Sequence, residues 1–120
     1  MVTGERWRFP KSHRLLKRQD YQRVFNHGKR HSHGGFTVLA LRNQLPHPRL
    51  GLVVSKRCGR RSVDRQRLKR LVRESFRLQQ DTLGGLDIVV IGRSDALHRS
   101  NEELFASLSR HWRKLSSCVC

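Results

Sequence analysis

Acidic residues are scarce in this 120-residue chain. Nine Asp and Glu stand against 26 Lys and Arg, and the formal net charge is +17 with histidine neutral. Hydrolytic catalysis by a protein's own side chains needs carboxylates that bind metal ions, or a positioned acid and base. The nine carboxylates are scattered along the chain. We therefore expect no catalytic residue and no cofactor on the protein itself.

Cysteine is also rare, and an odd number of cysteines gives no disulfide framework, so we expect reduced thiols. The three are Cys58, Cys118 and Cys120. A zinc site would have to combine the C-x-C pair with some of the seven histidines. That pair lacks the second paired set of a zinc pattern, and we predict no metal site. His27, His31 and His33 lie in a polar stretch and are predicted to be ordinary surface residues.

Long apolar runs are missing too. No run approaches the roughly 20 residues that cross a bilayer. The N-terminal sequence MVTGERWRFPKSHRLL is basic and lacks the apolar core of a secretory signal. We therefore expect a cytoplasmic protein. Its length suffices for one domain with a modest core.

Positive charge is concentrated in residues 56–77, KRCGRRSVDRQRLKRLVRESFR. Ten of these 22 residues are Lys or Arg, and Asp64 and Glu74 are the two acids. Charges at this density repel one another in the free protein, so they indicate a polyanionic partner. Nucleic acid fits, because neutralising phosphates releases condensed counterions. An anionic membrane surface is the alternative.

Residues 63–79 have the periodicity of a two-faced helix. Its apolar sector contains Leu68, Leu71, Val72, Ser75, Phe76 and Gln79, and its opposite sector contains Gln66, Lys69, Arg70, Arg73 and Arg77. Glu74 can pair with Arg70 one turn earlier. An ordinary solvated face usually interleaves Glu with Lys, and this one does not. The pattern therefore favours nucleic-acid contact, while the apolar sector, needed for packing, argues against a membrane role.

The remaining pattern predicts an α+β domain. Residues 1–16 are predicted as a flexible basic arm, 17–115 as the domain and 116–120 as a frayed tail. Residues 19–27 read as a helix, 29–35 as a polar stretch with a possible edge strand, and 86–93 as a strand covered on both faces. Residues 36–42 and 49–55 are predicted to pair as a β-hairpin. A helix with a capping box begins at Ser100, with Leu104, Phe105, Leu108, Trp112 and Leu115 as its buried stripe.

The strand at 49–55 has two different faces. Leu50, Leu52 and Val54 point one way and form a normal core face. Residues 51, 53 and 55 are Gly, Val and Ser and point the other way, and Arg57 continues that side. Small residues ending in a cation are typical of a groove, or of a place where a helix packs closely.

DRQRLKRLVRESFR, residues 64–77, resembles the signature of the bacterial ribonuclease P protein component family. The matching residues are Arg65, Arg67, Lys69, Arg70, Arg73, Glu74, Phe76 and Arg77. The segments LKRQDYQRVF, HPRLGLVVSKR and LDIVVIGR are similar to family segments in the same order, so the resemblance covers residues 14–115. Gln66 departs from it, because the family has Asn there. The longer side chain would shift any close contact to RNA or to a hydrated metal ion.

The resemblance implies a small subunit of a ribonucleoprotein that removes the 5′ leader from precursor tRNA. The RNA subunit would carry the catalytic centre and use Mg²⁺, and the protein, a monomer present once per RNA subunit, would assist. It also implies a mostly antiparallel sheet of about four strands packed with about three helices. A left-handed βαβ crossover would run through the basic helix, against the right-handed default.

Two sets of site residues follow. The RNA-subunit-binding set is Arg60, Arg61, Arg65, Gln66, Arg67, Lys69, Arg70, Arg73 and Arg77. The groove for the single-stranded leader is expected to use Tyr21, Phe25 and Arg57, with Leu39 and Val53 completing its floor. The alternative for the two aromatics is that both are plain core residues. Phe36 is assigned to the opposite, core face.

Other classes of function share the charge and the helix. A ribosomal or other structural RNA-binding protein would have no role in catalysis, and the ordered family segments argue against it. A non-specific DNA-binding protein is a third possibility, but no recognition-helix pair and no dimerising heptad supports it.

Overall fold

The computed structural model describes residues 13–118, with side chains through Ser116. This part of the chain contains three α-helices: α1 (Arg18–His27), α2 (Ser62–Gln79) and α3 (Asn101–Cys118). The four strands are β1 (Lys29–His33), β2 (Phe36–Arg42), β3 (Arg49–Val53) and β4 (Leu86–Gly92). Short 3₁₀ segments span Gln80–Thr82 and Ser94–His98.

The sheet has the strand order β1–β2–β4–β3. β2 is antiparallel to both β1 and β4, whereas β3 is parallel to β4. The predicted α+β domain is therefore confirmed, but the predicted hairpin between residues 36–42 and 49–55 is wrong. β4 lies between these two strands because its run LDIVVIG is apolar on both faces, and the centre of the sheet buries both.

Helices cover the two faces of this sheet. α2 and α3 cover one face with the larger core, which contains Val38 of β2, Ile88 of β4, Phe76 of α2 and Trp112 of α3. α1 covers the other face with a smaller cluster of Leu15, Val24, Leu39 and Val89. The parallel connection from β3 to β4 runs through α2. Its left-handed sense stays a prediction.

The third helix begins as predicted. The Ser100 amide donates to Glu103 Oε1 at 2.9 Å and the Glu103 amide donates to Ser100 Oγ at 3.1 Å, which is a capping box. Its predicted stripe is buried except for Phe105, which is partly exposed. Trp112 Nε1 donates to Ser75 Oγ at 2.8 Å, so Ser75 in the apolar sector of α2 has a buried partner.

The domain extends slightly beyond its predicted ends. Leu15 is buried and its amide donates to the carbonyl of Leu50 at 2.9 Å, so this part of the predicted flexible arm is attached to β3. Residues 1–12 of that arm lie outside the described residues. α3 continues to Cys118, three residues into the predicted frayed tail. Residues 119 and 120 lie outside the described part.

A buried carboxylate on β4 connects this strand to β3, to α1 and to the loop after β2. Asp87 of β4 is fully buried and accepts two hydrogen bonds from Arg49 of β3, Nε to Oδ1 at 2.8 Å and Nη2 to Oδ2 at 2.6 Å. Arg23 of α1 donates to it at 3.0 Å and Asn43 at 2.9 Å. Burial acts to raise the pKa of Asp87, but these hydrogen bonds and the Arg49 charge outweigh it and hold the pKa below its ordinary value.

We predict that Asp87→Asn lowers the free energy of unfolding by about 3 kcal/mol at neutral pH, because it removes the buried charged partner of Arg49, whose side chain is itself only 20% exposed. Since the folded-state pKa lies below the unfolded one, this contribution is complete above about pH 4 and is lost as pH falls through the folded-state pKa. Urea unfolding at pH 7 and pH 3 measures both effects.

Asp95→Asn is the matched control, because Asp95 is exposed and its pairs with Arg93 and Arg99 are surface pairs. Its loss at pH 7 should stay below about 1 kcal/mol. Equal losses in the two variants would show that the buried network does not hold the sheet.

Candidate nucleic-acid interface

The two faces of α2 lie as the periodicity predicts. Leu68, Leu71, Val72 and Phe76 are buried in the larger core. On the opposite side Gln66, Arg70 and Arg73 are exposed, and Lys69 and Arg77 are partly exposed. The helix therefore presents a cationic surface while its apolar side holds it on the sheet.

Several predicted RNA-contacting cations also hold the protein together. Arg65 Nη1 donates to the carbonyls of Gly59 at 2.8 Å and Arg60 at 3.0 Å. Arg67 donates to Asn101 Oδ1 at 2.9 Å and to the Arg99 carbonyl at 2.7 Å. These bonds fix the loop before α2 and the start of α3 against the helix.

Two more cations of the predicted set are paired with acids. Arg61 lies 3.0 Å from Asp64, and this exposed hydrogen-bonded pair holds the Asp64 pKa below its ordinary value. Arg77 lies 2.6 Å from Glu74. The predicted pairing of Glu74 with Arg70 is therefore wrong, because the i+3 arginine on the C-terminal side takes this carboxylate.

Three cations of α2 remain available. Among the residues that the structure describes, no hydrogen bond or ion pair engages the side chains of Lys69, Arg70 and Arg73. Spaced at i, i+1 and i+4, they share one side of the helix. A polyanion could contact this row without displacing an internal partner, which makes it the strongest candidate for phosphate contact.

On the other face of the sheet, α1 packs closely on β3. A Cβ atom added to Gly51 would lie 2.6 Å from Cε1 of Tyr21, so only glycine lets this ring approach the strand. Close helix packing therefore explains the small residue at this position. Tyr21 is partly buried and Val53 packs beside the same cluster.

Phe25 and Leu39, two residues predicted for the groove, differ in solvent exposure. Phe25 is 43% exposed, and Val24 takes the core position of α1 with no exposure, so the alternative that both aromatics are core residues is wrong for Phe25. Leu39 is 2% exposed beneath α1. It lies under the groove between α1 and β3, and its part in the floor of a leader-binding groove stays a prediction. Phe36 is buried in the opposite core, as predicted.

A pocket of about 170 Å³ at the β3 edge links the two faces. Its lining combines Tyr21 and Leu16 from the α1 side with Leu52, Lys69 and Arg73, and it includes Arg14, Leu15 and Leu50. The sequence pattern did not predict this pocket, because residues 13–16 form no strand. They contact β3 through a single parallel bridge between Arg14 and Leu50. Arg57 is exposed in the loop after β3.

No group of three His, Cys, Asp or Glu within residues 13–118 could hold a metal ion. None of the helices in this part of the chain is long and apolar enough to cross a membrane. Burial raises the pKa of the Cys58 thiol, which donates to the carbonyl of Arg93 at 3.4 Å.

Residues 9–116 match the family described as Ribonuclease P. The chain belongs to the ribonuclease P protein component family. It is 47% identical over 111 residues to the ribonuclease P protein component of Methylococcus capsulatus, covering 92% of this chain and 87% of the relative. It is 49% identical over 112 residues to that of Chromohalobacter salexigens, covering 92% and 88%.

Solved structures of the family have the same fold. The RNase P protein of Staphylococcus aureus superposes with a TM-score of 0.80 at 32% identity, covering 92% of this chain and all of that one. The RNase P protein of Thermotoga maritima gives 0.75 at 32% identity, covering 84% and 96%. As a member of this family, the chain is a protein subunit of an endoribonuclease that acts in tRNA 5′ maturation. The family resemblance predicted from the sequence motifs is therefore confirmed.

Proposed function

We propose that this chain binds the catalytic RNA subunit of ribonuclease P through α2 and the single-stranded 5′ leader of precursor tRNA through the α1 groove. The observation that carries the proposal is the row of Lys69, Arg70 and Arg73, which lies on the signature helix and has no partner within the described residues. The protein assists binding and orientation, and cleavage takes place on the RNA.

The RNA-subunit surface combines two kinds of cation. Lys69, Arg70 and Arg73 contact phosphates directly. Arg65 and Arg67 place α2 through their bonds to backbone carbonyls, and each guanidinium keeps its positive charge beside the same surface. Arg60, Arg61 and Arg77 extend this surface at the two ends of the helix. Their summed charge gives a salt-dependent affinity for RNA.

Gln66 is exposed on the second turn of α2, beside this row. Its amide can donate to a phosphate oxygen or accept from a metal-bound water, as the family Asn can. The extra methylene moves the amide outward, and the exposed position leaves room for that shift. RNA binding is therefore retained at this position.

The leader lies along α1. Phe25 presents an exposed ring on which an unpaired base can stack, and Tyr21 and Val53 form the adjoining apolar wall. Arg57, exposed in the loop after β3, is proposed to provide a cation for the leader backbone. The pocket lined by Tyr21, Lys69 and Arg73 connects the groove with the basic helix, so one RNA strand could pass from stacking contacts to phosphate contacts.

The chemistry belongs to the RNA subunit with Mg²⁺. Several carboxylates of the described residues stabilise the fold. Asp20 and Asp87 pair with arginines of α1 and β3, and Asp64 and Glu74 each pair with an arginine at α2. None of these groups is placed as an acid and base pair facing the groove. The protein acts as a monomer, one per RNA subunit, in the cytoplasm.

Changing Arg70 and Arg73 together to Ala should weaken binding of the cognate RNA subunit. Each lost phosphate contact removes nearly one counterion from the release term, so the slope of log affinity against log salt should flatten by about 1.5 to 2. Filter binding between 50 and 400 mM monovalent salt, about the range in which such slopes are measured, provides the test.

Arg42→Ala with Arg113→Ala is the matched control, since it removes the same charge from exposed positions outside this surface. It should leave most of the slope intact. A slope unchanged in the α2 variant, or flattened equally in both, would exclude this face as the RNA-subunit contact.

Phe25→Ala should weaken binding of precursor tRNA to the holoenzyme about tenfold and leave mature tRNA unaffected, because stacking on one base contributes about 1–3 kcal/mol. Titration of both tRNAs under conditions in which no cleavage is detected measures the two affinities. Leu78→Ala is the control, since Leu78 is also an exposed apolar residue but lies at the end of α2. An equal loss for precursor and mature tRNA would rule out a leader groove at Phe25.

A further inference from the structure

Three histidines meet at the β1 edge of the sheet. His31 and His33 pair with Val38 and Phe36 of β2, so they lie on the face covered by α3. There they meet His111, which is 1% exposed, with the His31 and His111 rings stacked at 4.6 Å. The prediction of ordinary surface histidines is therefore wrong for His31, which is partly buried. The partner lies 80 residues away in the sequence, where no local pattern could reveal it.

Hydrogen bonds fix the protonation of this cluster. The His33 carbonyl can only accept, so His111 Nε2 carries the proton that it donates at 3.0 Å. Burial lowers the pKa of His111 to about 4, and the ring is neutral at pH 7. Its Nδ1 therefore accepts from His31 Nδ1 at 2.8 Å. This leaves His31 Nε2 buried without a partner among the described residues.

A pocket of about 190 Å³ opens beside these rings. Its lining is His31, Ser32, His33, Arg110, His111 and Lys114, which includes no carboxylate. Arg110 and Lys114 are exposed and lie one helical turn apart on α3. Arg110 and Lys114 provide the charge-assisted donors that a phosphate group requires. His31 Nε2 becomes a further donor when this ring is protonated.

This pocket is separate from the α2 surface. β1 and β3 are the two edge strands, and three strand spacings put them about 14 Å apart before side chains are counted. Lys69 and Arg73 line the pocket at the β3 edge, whereas Arg110 and Lys114 line the pocket at the β1 edge. One RNA phosphate group cannot contact both.

We propose that the pocket between β1 and α3 binds a phosphodiester group of RNA. It would give the protein a second RNA contact at the β1 edge of the sheet, opposite the β3 edge where Lys69 and Arg73 lie. The proposal rests on the proposed function, since the RNA is the ribonuclease P RNA subunit. RNA fits better than a membrane, because the pocket lining is polar and cationic and presents no apolar side chain for insertion.

The site should bind more tightly at lower pH. Burial, Lys114 and His33 lower the pKa of His31 in the free protein, so this ring is neutral at pH 7. A phosphate in the pocket favours the protonated ring. The groups on the same face are Lys29 and His33 of β1 with Arg110, His111 and Lys114 of α3, and none is an acid that would compete for the proton.

Arg110→Ala and Arg113→Ala test the proposal, because both remove one exposed charge from α3 and only Arg110 lines the pocket. Arg110→Ala should weaken binding of the cognate RNA subunit about threefold to tenfold and flatten the salt slope by about one unit, whereas Arg113→Ala should change affinity less than about twofold. His31→Gln should abolish the gain in affinity that the wild type shows between pH 8 and pH 6, a range around the ordinary histidine pKa of about 6.5.

Equal effects of Arg110→Ala and Arg113→Ala, while the α2 double variant still loses affinity, would overturn the second contact and leave the proposed function intact. Wild-type protein that does not bind the RNA subunit would overturn both. Imidazole resonances of His31 and His111 provide an independent readout that needs no substitution. They should shift when the RNA subunit is added, and unshifted resonances in the complex would also overturn the proposal.

Discussion

The bond between Asp87 and Arg49 is the interaction on which the rest of this structure depends. It joins the central strand β4 to the edge strand β3, and through Arg23 it also anchors α1 to the sheet. Asp20 adds a weaker contact to Arg49 at 3.7 Å. The groove lies between α1 and β3, and α2 continues from β3. The same buried carboxylate therefore sets the position of both candidate RNA surfaces.

The distribution of charge follows from the scarcity of acids. Several of the few carboxylates in the described residues are engaged with arginines, as with Asp87 in the sheet and Glu74 on α2. Lys69, Arg70 and Arg73 consequently keep their full charge in one row. The candidate RNA surface on α2 has no acidic partner for this row among the described residues, and binding of a polyanion would relieve the repulsion within it.

Local features of the fold could be predicted from the sequence. The periodicity of α2 gave its bounds to within one residue, and the capping box at Ser100 is present with both hydrogen bonds. Non-local features could not. Residues 36–42 and 49–55 follow each other in the chain and suggested a hairpin, but the apolar run of β4, more than thirty residues later, takes the place between them. Charge and helical periodicity alone predicted only that the protein binds a polyanion. The specific function was predicted from the resemblance of its motifs to the family.

The site residues divide in the same way. Periodicity identified the cationic row of α2, but it could not distinguish Phe25, which is exposed, from Val24, which enters the core one residue earlier. It also could not show that Leu39 is covered by α1, because burial from a helix on the other side is a property of the assembled sheet. The histidine cluster around His111 could not be predicted for a related reason. Its partners His31 and His33 come from a strand far away in the sequence.

The most direct test of an accessory role in RNA-based cleavage is reconstitution. The purified protein is mixed with the cognate RNA subunit, and 5′ cleavage of a precursor tRNA is followed at low, near-physiological Mg²⁺. We predict that the mixture cleaves much faster than the RNA subunit alone and that the protein alone is inert. Tight RNA binding without stimulation at any Mg²⁺ concentration, or cleavage by the protein alone, would contradict that role.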